Sequence, residues 1–429
     1  MIRIIKSGEF YKAHGNVQQV VSPASVTAAV TAIIEDVINR GDEALREYTE
    51  KYDGCLLESF ELSKEAIDEA FSCVEPDFIG VMERAARNIE DFHRNQVQKG
   101  FDLPPENGVI LGQRVTPIER VGLYVPGGTA PYPSSVLMNC IPAKIAGVRE
   151  VIITTPPSGD ESHSMFNGVT PRIIAAAKIA GVDRIFTMGG AQAVAALAYG
   201  TKTVPRVDKI TGPGNAYVAE AKRQVFGIVG IDMIAGPSDV LIIADETADP
   251  IHVAADILSQ SEHGSDSPAV LVTNSPALSD KVAMEIEVQL SKLPRADMAR
   301  KAVDELGLIV VTKSLEEAFE ISNIIAPEHL EILLDEPFNY LDKVKNAGAV
   351  FLGKHTTVAL GDYYAGPNHT LPTSGTARFS SPLSVDDFIK KTSYAYYSKE
   401  ALHAASGDVI RFAKEVGLDG HALSVSKRL

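Results

Sequence analysis

Imidazoles, carboxylates and amides meet at a few places in this chain. In Ile325-Ala326-Pro327-Glu328-His329-Leu330 a Glu-His pair sits at a break between a helical stretch and Glu331–Leu334. Neighbouring residues do not share a helix face, so the pair is either two acid–base groups aimed in different directions or a surface pair. In Leu360–His369, Asp362 and His369 share a loop stiffened by Gly361, Gly366 and Pro367. Asp249-Pro250 opens a helix with an N-cap and an N1 proline, and Gly264 should close it. Ile251, Ala254, Ala255 and Leu258 form its expected apolar stripe. Asp256, Gln260 and His263 then fall on another face, the last two one turn apart. Imidazole suits zinc and an amide oxygen is an uncommon ligand, so this face is either half of a metal site or a solvated polar surface. His421 follows Gly417 and Gly420 near the C-terminus, where a lone histidine is ordinarily solvated.

Three glycine turns stand where a strand should hand over to a helix: Pro126-Gly127-Gly128, Gly189-Gly190-Ala191-Gln192 and Gly212-Pro213-Gly214-Asn215. Glycine lets a backbone approach a ligand closely, and a helix N-terminus offers N–H groups to a pyrophosphate. A dinucleotide site and plain tight turns both fit, because none matches the G-x-G-x-x-G pattern.

Positioning these residues requires a scaffold. Apolar periodicity predicts helices over Val26–Arg40 and Asp42–Lys51, separated by Gly41. From Val121 onward, short β-branched runs alternate with Ala-rich helical stretches: Val121–Val125, Val151–Thr155, Arg184–Thr187, Val240–Ala244, Ala269–Thr273, Leu308–Thr312 and Ala349–Leu352. Near-continuous apolar strands of this kind imply parallel sheets covered on both faces, here two α/β units meeting near residue 240. After Ser380 the chain turns polar and helical with no further apolar strand, like an appendage that packs on something else.

Composition narrows the chemistry. Across 429 residues, 56 acidic against 40 basic side chains leave a net charge of −16, which argues against nucleic acid as a partner. Cys55, Cys73 and Cys140 are too few for a disulfide framework or a thiolate zinc site, which favours the cytoplasm and nitrogen or oxygen ligands. No apolar run reaches the roughly 18 residues of a membrane span.

The segments Gly122–Asn139 (GLYVPGGTAPYPSSVLMN), Gly189–Ala193, Gly212–Asn215, Ala235–Ser238, Leu258–Gly264 (LSQSEHG), Ala326–Leu330 and Gly361–Thr373 (GDYYAGPNHTLPT) occur in one order along the chain. Together they resemble the histidinol dehydrogenase family, and the likeness covers nearly the whole chain. The resemblance implies two Rossmann-like α/β domains with incomplete parallel sheets, a helical N-terminal region and an extended C-terminal arm. It implies an N-terminal segment over 1–25, a first α/β domain from 26–123 plus 240–378, an NAD-binding domain over 124–239 and a dimerisation arm over 379–429. It also implies zinc and NAD as cofactors, with L-histidinol oxidised through the aldehyde to L-histidine by two successive hydride transfers.

Carried over by position, Gln260, His263, Asp362 and His421 become zinc ligands that also contact substrate. Glu328 and His329 become the acid–base pair, Ser238 and His369 contact substrate, and Tyr124, Gln192 and Asn215 contact NAD. The arm of one subunit would complete its neighbour's site in a homodimer, which gives His421 a role. Two positions depart from the family pattern: Val358 and Val416 stand where Glu is usual, and Asp239 stands where many members have Glu. Glu415 lies beside Val416 and offers a carboxylate one residue away. Missing carboxylates suit a cationic substrate less well, so a relative acting on another small polar alcohol, such as a sulfonated propanediol, is the competing reading. A non-catalytic NAD- or zinc-binding derivative is disfavoured by the intact acid–base and ligand set.

Overall fold

The computed structural model describes residues 2–13, 23–127, 132–158 and 165–429. Gly128 of the first glycine turn, and with it part of the Gly122–Asn139 motif, lies outside the described residues.

Two parallel sheets form, as the continuous apolar runs require. In the five-stranded sheet the order is Arg184–Thr187, Glu150–Thr155, Arg120–Tyr124, Lys209–Thr211, Gly230–Ile231. In the six-stranded sheet the order is Arg3–Lys6, Leu308–Val311, Ala269–Thr273, Val240–Ala244, His329–Leu333, Ala349–Leu352. All pairings in both sheets are parallel. Every residue of Val240–Ala244, Ala269–Thr273 and His329–Leu333 is buried, the signature of strands covered on both faces.

The N-terminal helices belong elsewhere than expected. Val30, Ile33, Val37 and Leu45, from helices Ala24–Arg40 and Asp42–Asp53, pack with Ile152, Phe186 and Ile210 on one face of the five-stranded sheet. Met82, Ala85 and Ile89, from helix Pro76–His93, pack with Val121, Leu123 and Ile153 on the other. Residues 26–93 are therefore grouped physically with the five-stranded sheet rather than with 240–378. A helix's apolar stripe names no partner, so sequence pattern alone does not assign it to one sheet or the other.

The segment after Ser380 also differs. Ile389–Tyr397 is a nine-residue strand, antiparallel to Val109–Pro117, in a separate three-stranded sheet that also takes in Phe101–Asp102. Eight of its nine residues are exposed, so it carries no apolar run to reveal it. Helices Lys399–Glu415 and Asp419–Ser426 follow; Phe412 and Leu423 on them and Val416 and Leu418 between them are exposed. No described helix is long and apolar enough to cross a membrane.

Candidate active site

The two sheets face each other through opposite edges. Pro126, Pro213 and Gly214 follow the carboxyl ends of strands in the five-stranded sheet, while Ser238, Glu328 and His329 lie at the amino ends of strands in the six-stranded sheet. Together with His263, Asp362, Tyr363 and His369 they line one cleft of about 260 Å3.

Asp239 holds Glu328 and His329 together. Its carboxylate accepts from the Glu328 backbone N–H at 2.9 Å, and its own N–H donates to Glu328 Oε2 at 3.0 Å. Its carbonyl accepts from the His329 backbone N–H at 3.2 Å and lies 2.9 Å from His329 Nδ1. A carbonyl only accepts, so Nδ1 carries the proton and Nε2 keeps the lone pair. Nε2 is buried without a hydrogen-bond partner, 3.9 Å from Asp362 Oδ1. The His329 ring is thereby held with its acceptor nitrogen unpartnered in the wall of the cleft. Burial pushes Glu328 up to about 8, against the lowering effect of the Ser238 hydroxyl and the Asp239 N–H. Asp239 itself is pushed up to about 7 by burial and by the nearby Glu328 charge. Asp239 had no assigned role from sequence beyond a departure from pattern, because its function is a set of backbone bonds across 89 residues.

The helix bearing Gln260 and His263 spans Pro250–Ser261, and Asp249 caps it by accepting from the Ile251 N–H. Its buried stripe is Val253, Ala254, Ile257 and Leu258; Ile251 and Ala255 are exposed, so the stripe lies rotated from the expected one. Gln260 is also buried, with Nε2 unpartnered. Burial holds His263 below the usual histidine range, opposed by the Asp362 charge, so its ring is neutral with a lone pair for a metal. Burial likewise lowers His369, whose Nδ1 lies 3.9 Å from Asp362 Oδ1. His421 is exposed and is not among the described residues lining this cleft. Among the described residues no group of three or more His, Cys, Asp and Glu is arranged to hold a metal. Of the three such residues in the expected ligand set, His263 and Asp362 line the cleft and His421 is not brought to them.

A buried polar chain ties the His369 loop to the five-stranded sheet. Thr211 Oγ1 donates to Asn139 Oδ1 at 3.1 Å, and Asn139 Nδ2 donates to Thr370 Oγ1 at 3.2 Å. Asn368 Nδ2 donates to the Met138 carbonyl at 2.6 Å and lies 3.3 Å from His93 Nε2. His93 Nδ1 meets the Ile89 carbonyl at 2.8 Å, which leaves Nε2 as the acceptor. No sequence signal marks His93, a single histidine at the end of an amphipathic helix.

A second cleft of about 570 Å3 runs along the carboxyl edge of the five-stranded sheet, lined by Tyr124, Gly127, Pro156, Gly190, Gln192 and Asn215 among others. Tyr124 Oη accepts from the Gly190 N–H at 3.1 Å, and Asn215 caps its helix by accepting from Tyr217 and Val218. Gly212, at φ 108°, passes so close to the Tyr124 carbonyl that a Cβ would collide with it. The buried pair Lys222 and Asp232 grips both polar groups of Gly212: Lys222 Nζ donates to its carbonyl and Asp232 accepts from its N–H. The turn is thus rigid as well as narrow. Pro126 and Gly214 line the smaller cleft and their chain neighbours Gly127 and Asn215 line the larger, so the two adjoin.

Val358 does not face the site. Its side chain is buried in the cluster with Leu333 and Phe351, and its N–H donates to Glu331 Oε1 at 3.0 Å. Val416 is exposed on the arm, where the neighbouring Glu415 pairs with Arg411 at 2.6 Å. Cys140 is buried against the Ala180 carbonyl and pushed up to about 12 by burial, unsuited to nucleophilic attack.

A buried base of fixed tautomer at the junction of two nucleotide-type sheets belongs to an α/β enzyme rather than a binding module. The histidinol dehydrogenase family model matches residues 17–429, and the chain belongs to that family of oxidoreductases. Histidinol dehydrogenase of Streptococcus mutans is 53% identical over 403 residues, covering 94% of this chain and 92% of that protein. That of Clostridium acetobutylicum is 50% identical over 432 residues, covering 100% and 99%. The crystal structure of histidinol dehydrogenase from Elizabethkingia anophelis superposes with a TM-score of 0.92 at 37% identity, over 100% of this chain and 98% of that one.

Proposed function

We propose that this protein oxidises L-histidinol to L-histidine through the aldehyde, passing one hydride to each of two NAD⁺ molecules in turn. The adjoining clefts carry this reading: a substrate in the smaller one, at Pro126 and Gly214, lies beside a coenzyme in the larger, at Gly127 and Asn215. His329 Nε2 takes the hydroxyl proton as hydride leaves the carbinol carbon. Glu328, ionised, takes a proton from the water that attacks the aldehyde, and the second hydride leaves the resulting hydrate. Each oxidation reduces one NAD⁺; the alcohol step releases one proton, and the aldehyde step consumes the water and releases two as the product becomes a carboxylate. Ser238 and His369 line the cleft as substrate contacts, while Tyr124, Gln192 and Asn215 line the coenzyme cleft.

The donor chemistry at Gln260, His263 and Asp362 fits a zinc ion: a neutral imidazole, a carboxylate and an amide oxygen. With the partner subunit's His421 as fourth ligand, zinc would orient and polarise the substrate. The exposed apolar side chains of the arm support a homodimer, since Phe412, Leu418 and Leu423 have no cover within the chain.

The test is stoichiometric. L-histidinol should yield L-histidine with two NADH per molecule, and activity should be lost on chelation and restored by zinc. If L-histidinol is inert while another small polar alcohol reduces NAD⁺, the substrate assignment falls.

A further inference from the structure

Asp53 is the last residue of helix Asp42–Asp53, and every structural consideration disfavours a carboxylate there. The C-terminus of a helix is the negative end of its dipole. Its Oδ2 is buried with no hydrogen-bond partner, and burial alone pushes the carboxyl up to about 6. Nothing in the fold uses this group, yet Asp53 lines the larger cleft beside Ala29, Ile33 and Tyr52.

That wall lies in the same cleft as the two helix starts. Helices Gly190–Tyr199 and Ala216–Val225 begin at the carboxyl edge of the sheet; Tyr124 Oη and Asn215 Oδ1 take the N–H groups of Gly190, Tyr217 and Val218, and the positive dipole ends of both helices favour a pyrophosphate there. The nicotinamide half of a bound coenzyme would reach toward the acid–base cleft, leaving the adenosine half to the Ala29–Ile33–Tyr52 surface. Among the described lining residues Asp53 is the one charged side chain, and none is Lys or Arg. We propose that Asp53 accepts hydrogen bonds from the adenosine ribose hydroxyls and excludes a 2′-phosphate, making it the residue that selects NAD⁺ over NADP⁺. A diol offers two donors to a carboxylate with no other partner, whereas a phosphate would set two anions together without a cation.

This assignment rests on the NAD reading above, and equilibrium binding without substrate separates the two. By titration calorimetry, the native protein should bind NAD⁺ at least about tenfold more tightly than NADP⁺ or 2′-deoxy-NAD⁺, the discrimination expected of one charge-assisted hydrogen bond. Asp53→Asn and Asp53→Ala should lose about tenfold for NAD⁺ and bind NAD⁺ and 2′-deoxy-NAD⁺ alike. Neither should lower the thermal midpoint, because no native partner is abandoned. Variants that keep native NAD⁺ affinity and preference would overturn the role of Asp53 and leave the coenzyme reading intact. A native protein that binds none of the three ligands would overturn both.

Discussion

The two parallel sheets serve opposite charges through opposite edges. At the carboxyl edge of the five-stranded sheet, glycine turns and the positive ends of two helices make an environment for anions in which Asp53 is the one charged side chain among the described lining residues. At the amino edge of the six-stranded sheet helices end instead of beginning. His263 follows the C-terminus of Pro250–Ser261, where carbonyls favour cations. Acid–base groups gather at this edge and are held by backbone bonds through Asp239. Binding by backbone tolerates many side chains, whereas proton transfer demands particular ones in fixed orientation. The comparison predicts that damage at one edge spares the function of the other.

Removing metal should have the largest effect. Chelation should abolish turnover yet leave NAD⁺ affinity within about twofold. His263→Ala and Asp362→Ala should each weaken zinc retention by roughly 10- to 100-fold or more, measured by metal analysis after dialysis. Mixed dimers of His421→Ala and His263→Ala subunits should regain activity, one site per dimer being whole. No recovery despite proven subunit exchange would mean that each site is built within one chain.

Next in size is the loss of the base. His329→Asn should lower kcat for alcohol oxidation by about 10²–10⁴-fold. Glu328→Gln should impair aldehyde oxidation more than alcohol oxidation, so that aldehyde becomes trappable. Because burial raises Glu328 to about 8, the ionised base accumulates as pH rises. The rate of the aldehyde step should therefore climb toward pH 8 in the native enzyme, and this limb should vanish in Glu328→Gln. An unchanged pH profile in the variant would remove Glu328 from the water step.

How much of this was legible in the sequence depended on range. Strands such as Val240–Ala244 announce themselves, since burial on both faces forces an unbroken apolar run. Ile389–Tyr397 does not, because its pairing with Val109–Pro117 is made by backbone while its side chains stay in solvent. Glu328, His329 and Asp362 stood out through motif resemblance. Asp239, His93 and Asp53 gain meaning only from partners or cavities supplied by distant segments. The helix stripe of Pro250–Ser261 was misplaced because Ile251 is apolar yet exposed at the first turn.

A smaller effect concerns stability. Glu331 is fully buried and packs against Asp256, and burial together with that second carboxyl raises it. The fold favours its neutral form, so the stability it contributes is whole below the ordinary Glu range and is lost as pH climbs through the raised value. Glu331→Gln keeps an oxygen for the Val358 N–H and an N–H₂ for Asp256. The variant should match the native protein near pH 5 and unfold about 2–4 °C higher at pH 9, by calorimetry. Equal midpoints at both pH values would mean that the pair does not titrate with folding.

The smallest expected effect bears on substrate, and the structure separates two positions that look equivalent in sequence. Val358 lies in the core cluster, so Val358→Glu should bury a charge, cost on the order of 3 kcal/mol of stability, and bring no gain in kcat/KM. Val416 is exposed on the arm, and in the proposed homodimer only there could a restored carboxylate reach a neighbouring subunit's substrate. If the nitrogens of L-histidinol are held well enough by metal and the remaining cleft residues, Val416→Glu should change kcat/KM for L-histidinol by less than about tenfold. A rise of about 10- to 100-fold from a nearly inert native enzyme, the worth of one charge-assisted contact, would instead show that the native site is shaped for a different polar alcohol.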